Sequence, residues 1–303
     1  MRELWKKVRR EVLMAGLFFL PEDKKRRLER RLRGRDEFQR LEGADCVVVS
    51  YGKSGRTWLR VMLSRFYHLN FGLTGKQQLL SFDNLHRRDS RIPRIFFTHD
   101  NYLTDYTGNG GTKRDYYGKK VVLLVRKPQD VAVSQFFQWK HRMRAAKKRL
   151  NEYPEDMEMP VFEFVMNSKW GLTGAIDYMN LWAEESPRIA GLLIVRYEDM
   201  RADPHATFRR IAEFIGGPVR EEAVQGAVEY GSVENMRKLE TGSAFRVGRM
   251  KPGEKGNPDS YKVRRAKVGG YRDYFDEEQV AAIDGAVKAR LAPVYAYGDG
   301  ADA

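Results

Sequence analysis

Between Ser50 and Trp58 the chain reads Ser-Tyr-Gly-Lys-Ser-Gly-Arg-Thr-Trp, a run rich in residue types that serve an oxyanion. Gly52 and Gly55 admit close backbone approach, Lys53 carries a mobile cation, and Ser54 and Thr57 carry hydroxyl donors. Trp58 adds an aromatic face on which a purine can stack. The competing pattern is the triphosphate loop G-x-x-x-x-G-K-[ST], but Val47 stands where its first glycine would be. Arg126, not an aspartate, follows the apolar run 121–125, so the sequence offers no clear ligand set for the magnesium that triphosphate chemistry needs. Taken alone, the loop predicts phosphate binding and no more.

A second cluster runs from Arg126 to Ser134. Pro128 stops the preceding strand, and Asp130 is expected to cap a helix that begins near Val131. Arg126 and Ser134 then have the spacing to close on one phosphate, the guanidinium gripping it bidentately. Further polar groups follow other apolar runs: His99-Asp100 after 94–98, and Glu198-Asp199 after 192–197.

These residues resemble a known family, the sulfotransferases that use 3′-phosphoadenosine 5′-phosphosulfate (PAPS). The stretch Lys53-Ser54-Gly55-Arg56-Thr57-Trp58 is similar to the family's 5′-phosphosulfate loop, K-S-G-T-T-W. Arg126 to Ser134 resembles its 3′-phosphate motif, R-x-P-x-D-x-x-x-S, and Arg196 to Met200 resembles its Y-E-D segment. Lys262 to Tyr271 resembles the R-K-G loop that closes over the nucleotide. The four stand in family order.

The resemblance implies that Lys53 contacts the phosphosulfate bridge while Ser54, Gly55, Arg56 and Thr57 bind the 5′-phosphate and Trp58 stacks on adenine. It assigns Arg126, Ser134, Arg264, Arg265 and the backbone at Ala266 to the 3′-phosphate. Tyr197 and the stretch Gly231-Ser232-Val233 are assigned to the adenine region. Phe97-Thr98-His99 occupies the place of a K-T-H segment, which makes His99 the candidate general base and Asp100 the fallback. A metal is not expected, because Lys53, Arg126 and loop amides can neutralise the leaving phosphate. Four departures stand out: Arg56 replaces Thr, Phe97 replaces Lys, Ala266 replaces Gly, and Val233 replaces an aromatic.

Strands must position these groups. Apolar runs at 45–50, 94–98, 120–125 and 192–197 alternate with helical patterns, which predicts an α/β fold with a central parallel sheet covered by helices on both faces. The resemblance makes it the P-loop-like sulfotransferase fold. We expect a basic amphipathic segment over 1–40, one domain over 41–295 and a flexible tail over 296–303. Helices are predicted at 130–139, 162–170 and 204–215, and a long loop at 245–275.

The formal net charge is +14, and residues 1–40, with 14 Lys/Arg against 7 Asp/Glu, hold half of that excess. Such a balance suits an anionic partner. No nucleic-acid-binding module is recognisable, and the single cysteine, Cys46, excludes a disulfide framework and a Cys-rich zinc site. The apolar stretch 12–20 falls short of the roughly 20 residues a membrane span needs, and no small-x-small cleavage site follows it. A cytoplasmic protein is expected, with residues 1–35 suited to peripheral contact with an anionic membrane. The acceptor is read as a hydroxyl-bearing glycan, lipid or small metabolite. It is placed near 99–118, 136–139 and 140–166, with Tyr102, Tyr106, Tyr116 and Tyr117 as candidate pocket aromatics. The alternatives are a metal-dependent P-loop kinase and a non-catalytic basic protein that binds nucleotide or nucleic acid.

Overall fold

The four apolar runs form one parallel sheet in a computed structural model that describes residues 2–155, 157–167, 169–242, 253–254 and 256–297. The strands are β1 (Cys46–Val49), β2 (Ile95–Thr98), β3 (Lys120–Val125) and β4 (Gly191–Arg196), in the order β2-β1-β3-β4. Their side chains alternate between two cores. Val48, Val122, Leu124 and Val195 pack with Leu59, Phe66 and Phe208. Val47, Val49, Val121, Leu123 and Val125 pack on the other face with Leu41, Met179 and Trp182. Burial on both faces is the reason these runs are continuously apolar rather than alternating.

Val49 pairs with Thr98 and with Leu123, and Val125 pairs with Arg196. Because the strands are parallel, Ser50, His99, Arg126 and Tyr197 all leave the sheet at the carboxyl ends of its strands, where α/β sheets bind ligands.

Two helices precede the sheet, α1 (Arg2–Gly16) and α2 (Glu22–Glu42). β1 leads into α3 (Arg56–Asn70), and β2 into the short α4 (Leu103–Thr107). β3 leads into α5 (Pro128–His141), then α6 (Ala145–Leu150), α7 (Val161–Met166) and α8 (Leu172–Glu185). β4 leads into α9 (Tyr197–Ala202), α10 (Pro204–Ile215), α11 (Glu221–Tyr230) and α12 (Val233–Thr241), and α13 (Glu277–Arg290) follows the basic loop. Capping chemistry fixes several of these starts: Asp203 accepts from Ala206 N at 2.9 Å before α10, and Asp276 with Gln279 forms a capping box on α13.

The structure departs from the sequence expectations at four places. Helix α5 starts at Pro128, so Asp130 lies inside its first turn and is not the cap. The helix expected over 162–170 ends at Met166, and Gly171, where a Cβ would lie 2.2 Å from Val165 O, lets α8 begin hard against α7. The expected boundary near residue 40 falls within α2, whose Leu41 is fully buried in the sheet core. Gly34 lets α2 lie close against the start of the helix at Leu103–Thr107, since a Cβ there would lie 2.2 Å from Tyr102 O. The expected tail is also ordered at its start. Tyr297 donates its hydroxyl to Glu198 at 2.5 Å, and Arg196 lies over its ring. Residues 243–252, 255 and 298–303, which include parts of the expected loop and tail, lie outside the described residues.

Candidate active site

The turn from β1 into α3 brings its donors to one point. Lys53 and Gly55 have φ of +73° and +90°, and a Cβ at Gly55 would lie 2.6 Å from the Tyr197 ring, so only glycine fits there. Helix α3 begins at Arg56, so its unpaired amides face the same loop. Trp58 donates Nε1 to Gly231 O at 2.7 Å and meets Tyr197 edge-on at 5.7 Å. Burial, with Arg142, Arg126 and Arg264 nearby, lowers the Lys53 ammonium to about 7. Lys262, whose Nζ donates to Thr57 Oγ1 at 3.3 Å, is lowered to about 7 by burial, Lys53 and Arg142. So dense a group of cations is at ease only with an anion among them.

Arg126 lies over the Tyr197 ring at 4.4 Å and donates to Lys53 O at 3.4 Å and to Lys267 O at 3.2 Å. Its Nε is buried without a hydrogen-bond partner. Two carboxylates fix the basic loop that covers this end. Glu240 accepts from Lys262 N at 2.5 Å and Val263 N at 2.9 Å, and pairs with Arg142 at 3.2 Å. Asp130 accepts from Gly269 N at 2.9 Å and Tyr271 N at 3.0 Å, which is the work it does in place of capping α5. Between the two anchors, Arg264 lies over the Phe137 ring at 3.9 Å, and Arg265 pairs with Asp273 at 2.8 Å. Ala266 has φ of +54°, in the region glycine occupies without strain.

His99 stands at the end of β2. Its Nδ1 is 2.8 Å from Ser50 O; a carbonyl only accepts, so Nδ1 holds the proton and Nε2 keeps its lone pair. Burial, then Arg56, hold the imidazole well below its usual pKa, with Lys147 and Arg60 adding to the effect. Asp100 is committed elsewhere: its carboxylate takes Lys113 at 2.6 Å and the Tyr116 hydroxyl at 2.8 Å, and it does not line the cavity. Where the family's lysine is replaced by Phe97, the Arg60 guanidinium lies over the ring at 4.1 Å, so a cation stands there by another route.

One cavity of about 1120 Å³ joins these parts. Lys53, Gly55, Arg56, Thr57 and Trp58 line it, together with His99, Arg126, Ser134, Tyr197, Arg264, Arg265 and Ala266; Ser54 is buried beneath the loop. Tyr102, Tyr106, Tyr116 and Tyr117 do not line it, whereas Tyr51, Tyr153, Trp170 and Tyr178 do. Tyr116 packs instead on Trp182 at 5.0 Å, inside the sheet core. Nothing in the sequence assigns Lys262, Glu240 or the α2 arginines to the cavity. Lys262 lay within a recognised basic stretch, whereas Glu240 carries no local signal, since it acts 22 residues away.

A family model described as the sulfotransferase domain matches residues 117–294, which includes Arg126, Ser134 and Arg264 but begins after the Lys53 loop and His99. Cytosolic sulfotransferase 17 of Arabidopsis thaliana is 27% identical, over 84% of this chain and 76% of its own length. Amine sulfotransferase of Oryctolagus cuniculus is 25% identical, over 82% and 81%. Among solved structures, the chain is similar to mouse sulfotransferase SULT7A1 complexed with PAP, with a TM-score of 0.54 and 19% identity over 84% of this chain and 89% of that one. It is also similar to retinol dehydratase in a complex with retinol and PAP, with a TM-score of 0.56 and 21% identity over 85% and 83%. Those two likenesses carry the fold, the P-loop-like α/β sulfotransferase architecture.

Proposed function

The chain belongs to the sulfotransferase family, and from that premise we propose that it moves a sulfuryl group from PAPS to a hydroxyl or amine of its acceptor by in-line transfer without a metal. The observation that carries the donor assignment is the crowding of Arg126, Arg142 and Arg264 around a buried Lys53 lowered to about 7. The orphaned, buried Arg126 Nε fits the same ligand, because it is a donor awaiting an acceptor. PAP in the similar solved structures agrees with this choice. The two alternatives, a metal-dependent kinase and a non-catalytic binder, are not favoured by the family match.

When bound, PAPS supplies an activated sulfuryl group on one phosphate and a second phosphate as a handle. Arg126, Ser134, Arg264, Arg265 and the Ala266 backbone hold the handle, while Trp58 and Tyr197 flank the base. Backbone and hydroxyls from Ser54 to Thr57 grip the 5′-phosphate. His99 takes the acceptor's proton at Nε2 as the acceptor atom bonds to sulfur. Lys53 meets the charge left on the 5′-phosphate as the sulfur–oxygen bond breaks, a preorganised electrostatic role for which removing one donor typically lowers kcat about 10²–10³-fold.

The test is thermal. Adenosine 3′,5′-bisphosphate without magnesium should stabilise the protein by about 2.7 kcal/mol at a hundredfold excess over its Kd. Lys53→Ala should lower kcat about 10²–10³-fold. Stabilisation by ATP with magnesium alone would remove the donor assignment.

The transferase unit is proposed to run to about residue 295 and to take in α2, the basic helix that a start at residue 41 would cut, in a cytoplasmic protein. Among the described residues no helix is long and apolar enough to cross a membrane. Peripheral contact through residues 1–35 is supported by Phe18 and Phe19, 80% and 68% exposed, beside Lys24, Lys25 and Arg27.

A further inference from the structure

The cations around Lys53 account for the donor, yet the cavity's positive charge continues past His99 to a region the donor does not reach in that reading. There α2 contributes Arg26, Arg27 and Arg30, and the start of α6 contributes its N-cap Arg144 and Lys147. The two elements are tied together. Arg26 reaches Glu152 at 3.1 Å, Arg30 donates to Leu150 O at 3.5 Å, and Arg30 also pairs with Asp105 at 3.0 Å.

The cavity's carboxylates are already taken. Asp105 is held by Arg30, Glu152 by Arg26 and Lys169, Asp130 by Arg126, and Asp259 faces Arg264 at 3.6 Å. Among the described residues, Arg27, Arg144 and Lys147 have no acidic partner. Lys147 opens to the cavity solvent, but protein atoms still enclose its ammonium. Its pKa is lowered by that enclosure and by Arg56 and Arg33. Arg56, the residue that departs from the family's threonine, thus stands near both Lys147 and His99.

We propose that the acceptor end is an anion-binding site, and that the acceptor carries a carboxylate, sulfate or phosphate beside the nucleophilic group, met by Arg27, Arg144 and Lys147 with Arg56 facing His99. The proposal rests on the sulfotransferase reading above and adds the chemical class of the acceptor. Aromatic walls at Tyr153 and Trp170, stacked at 6.5 Å, favour a ring-bearing anion over a bare ion. The arrangement disfavours neutral apolar acceptors, since entering would strip water from cations and return no counter-charge. It also gives α2 a function: the helix docks through Gly34 and Leu41 and projects its first turns over the acceptor.

The experiment measures binding to the full chain saturated with adenosine 3′,5′-bisphosphate, using four probes built on one phenyl glycoside. These are phenyl glucoside, phenyl glucuronide, and the 6-sulfate and 6-phosphate of phenyl glucoside. The charged probes should bind about tenfold or more tighter than the neutral one at low salt, the gain of one well-placed ion pair. Their order identifies which oxyanion the site prefers. In the Arg27→Ala/Lys147→Ala variant the preference should shrink to about threefold or less, while nucleotide affinity stays unchanged. A neutral probe binding as tightly as the charged ones, or a preference that survives the double substitution, would overturn the inference. Failure of the nucleotide itself to bind would instead sink the donor reading, so the two failures are told apart.

Discussion

Lys53 and Lys262 are both held near 7 by burial and by neighbouring cations, against a usual lysine value of 10.5. The unfolded chain therefore binds more protons than the folded one between about pH 7 and 10.5. The stability these groups cost is fully present below pH 7 and is relieved as pH rises through that window. A bound phosphate pair reverses the shift, so at pH 8 adenosine 3′,5′-bisphosphate should bind with net proton uptake. Calorimetry in buffers of different ionisation enthalpy would read it, and Lys262→Ala should reduce it; proton release on binding would contradict the arrangement. For His99 the shift has the same sign, and its consequence is catalytic. Its folded pKa lies well below 6.5, so the imidazole is already a base at neutral pH, and kcat/KM should show no acid-side loss until well under pH 6.5. His99→Ala should lower kcat about 10²–10⁴-fold and leave nucleotide affinity unchanged. Undiminished turnover would move the base elsewhere. Residue types and spacing made most of this group legible. They could not show that Asp100 is locked to Lys113, because that pairing is made 13 positions away.

At the scale of elements, the strand ends and the α5 turn followed from apolar runs bounded by Gly, Pro and charge. Asp130 did not follow, because a local pattern cannot distinguish a helix cap from a side chain that reaches a loop 139 positions later. The N-terminal helices divide the same way. The basic, aromatic character of residues 1–35 is plain in sequence; the burial of Leu41 and the close approach at Gly34 are not. Phe18 and Phe19 remain exposed after folding, with Val12 and Leu13 near them. The protein should therefore sediment with phosphatidylserine vesicles more than with phosphatidylcholine vesicles, and Phe18→Ser/Phe19→Ser should reduce that binding. Equal recovery with both vesicles would refute the membrane contact. The turn is coupled to catalysis only in position, since α2 follows directly and lines the acceptor mouth.

For the molecule as a whole, the sequence alone determined the class of sheet, the order of its strand-end motifs and the chemistry of its donor-facing side chains. Those properties are local: a strand is declared by a buried apolar run, and a phosphate loop by glycines, a lysine and hydroxyls within one turn. The tertiary structure decided the rest. It set Glu240 against Lys262, turned Asp130 from cap to anchor, placed Arg60 over Phe97, and brought arginines from α2 into the cavity that His99 lines. Each of these joins residues far apart in the chain, or depends on which way a side chain leaves its element. Such contacts exist only once parallel strands have gathered their carboxyl ends on one side of the sheet and the helices have packed around them. The donor-facing charges could be read from the sequence; the positive mouth proposed to select the acceptor is a product of packing.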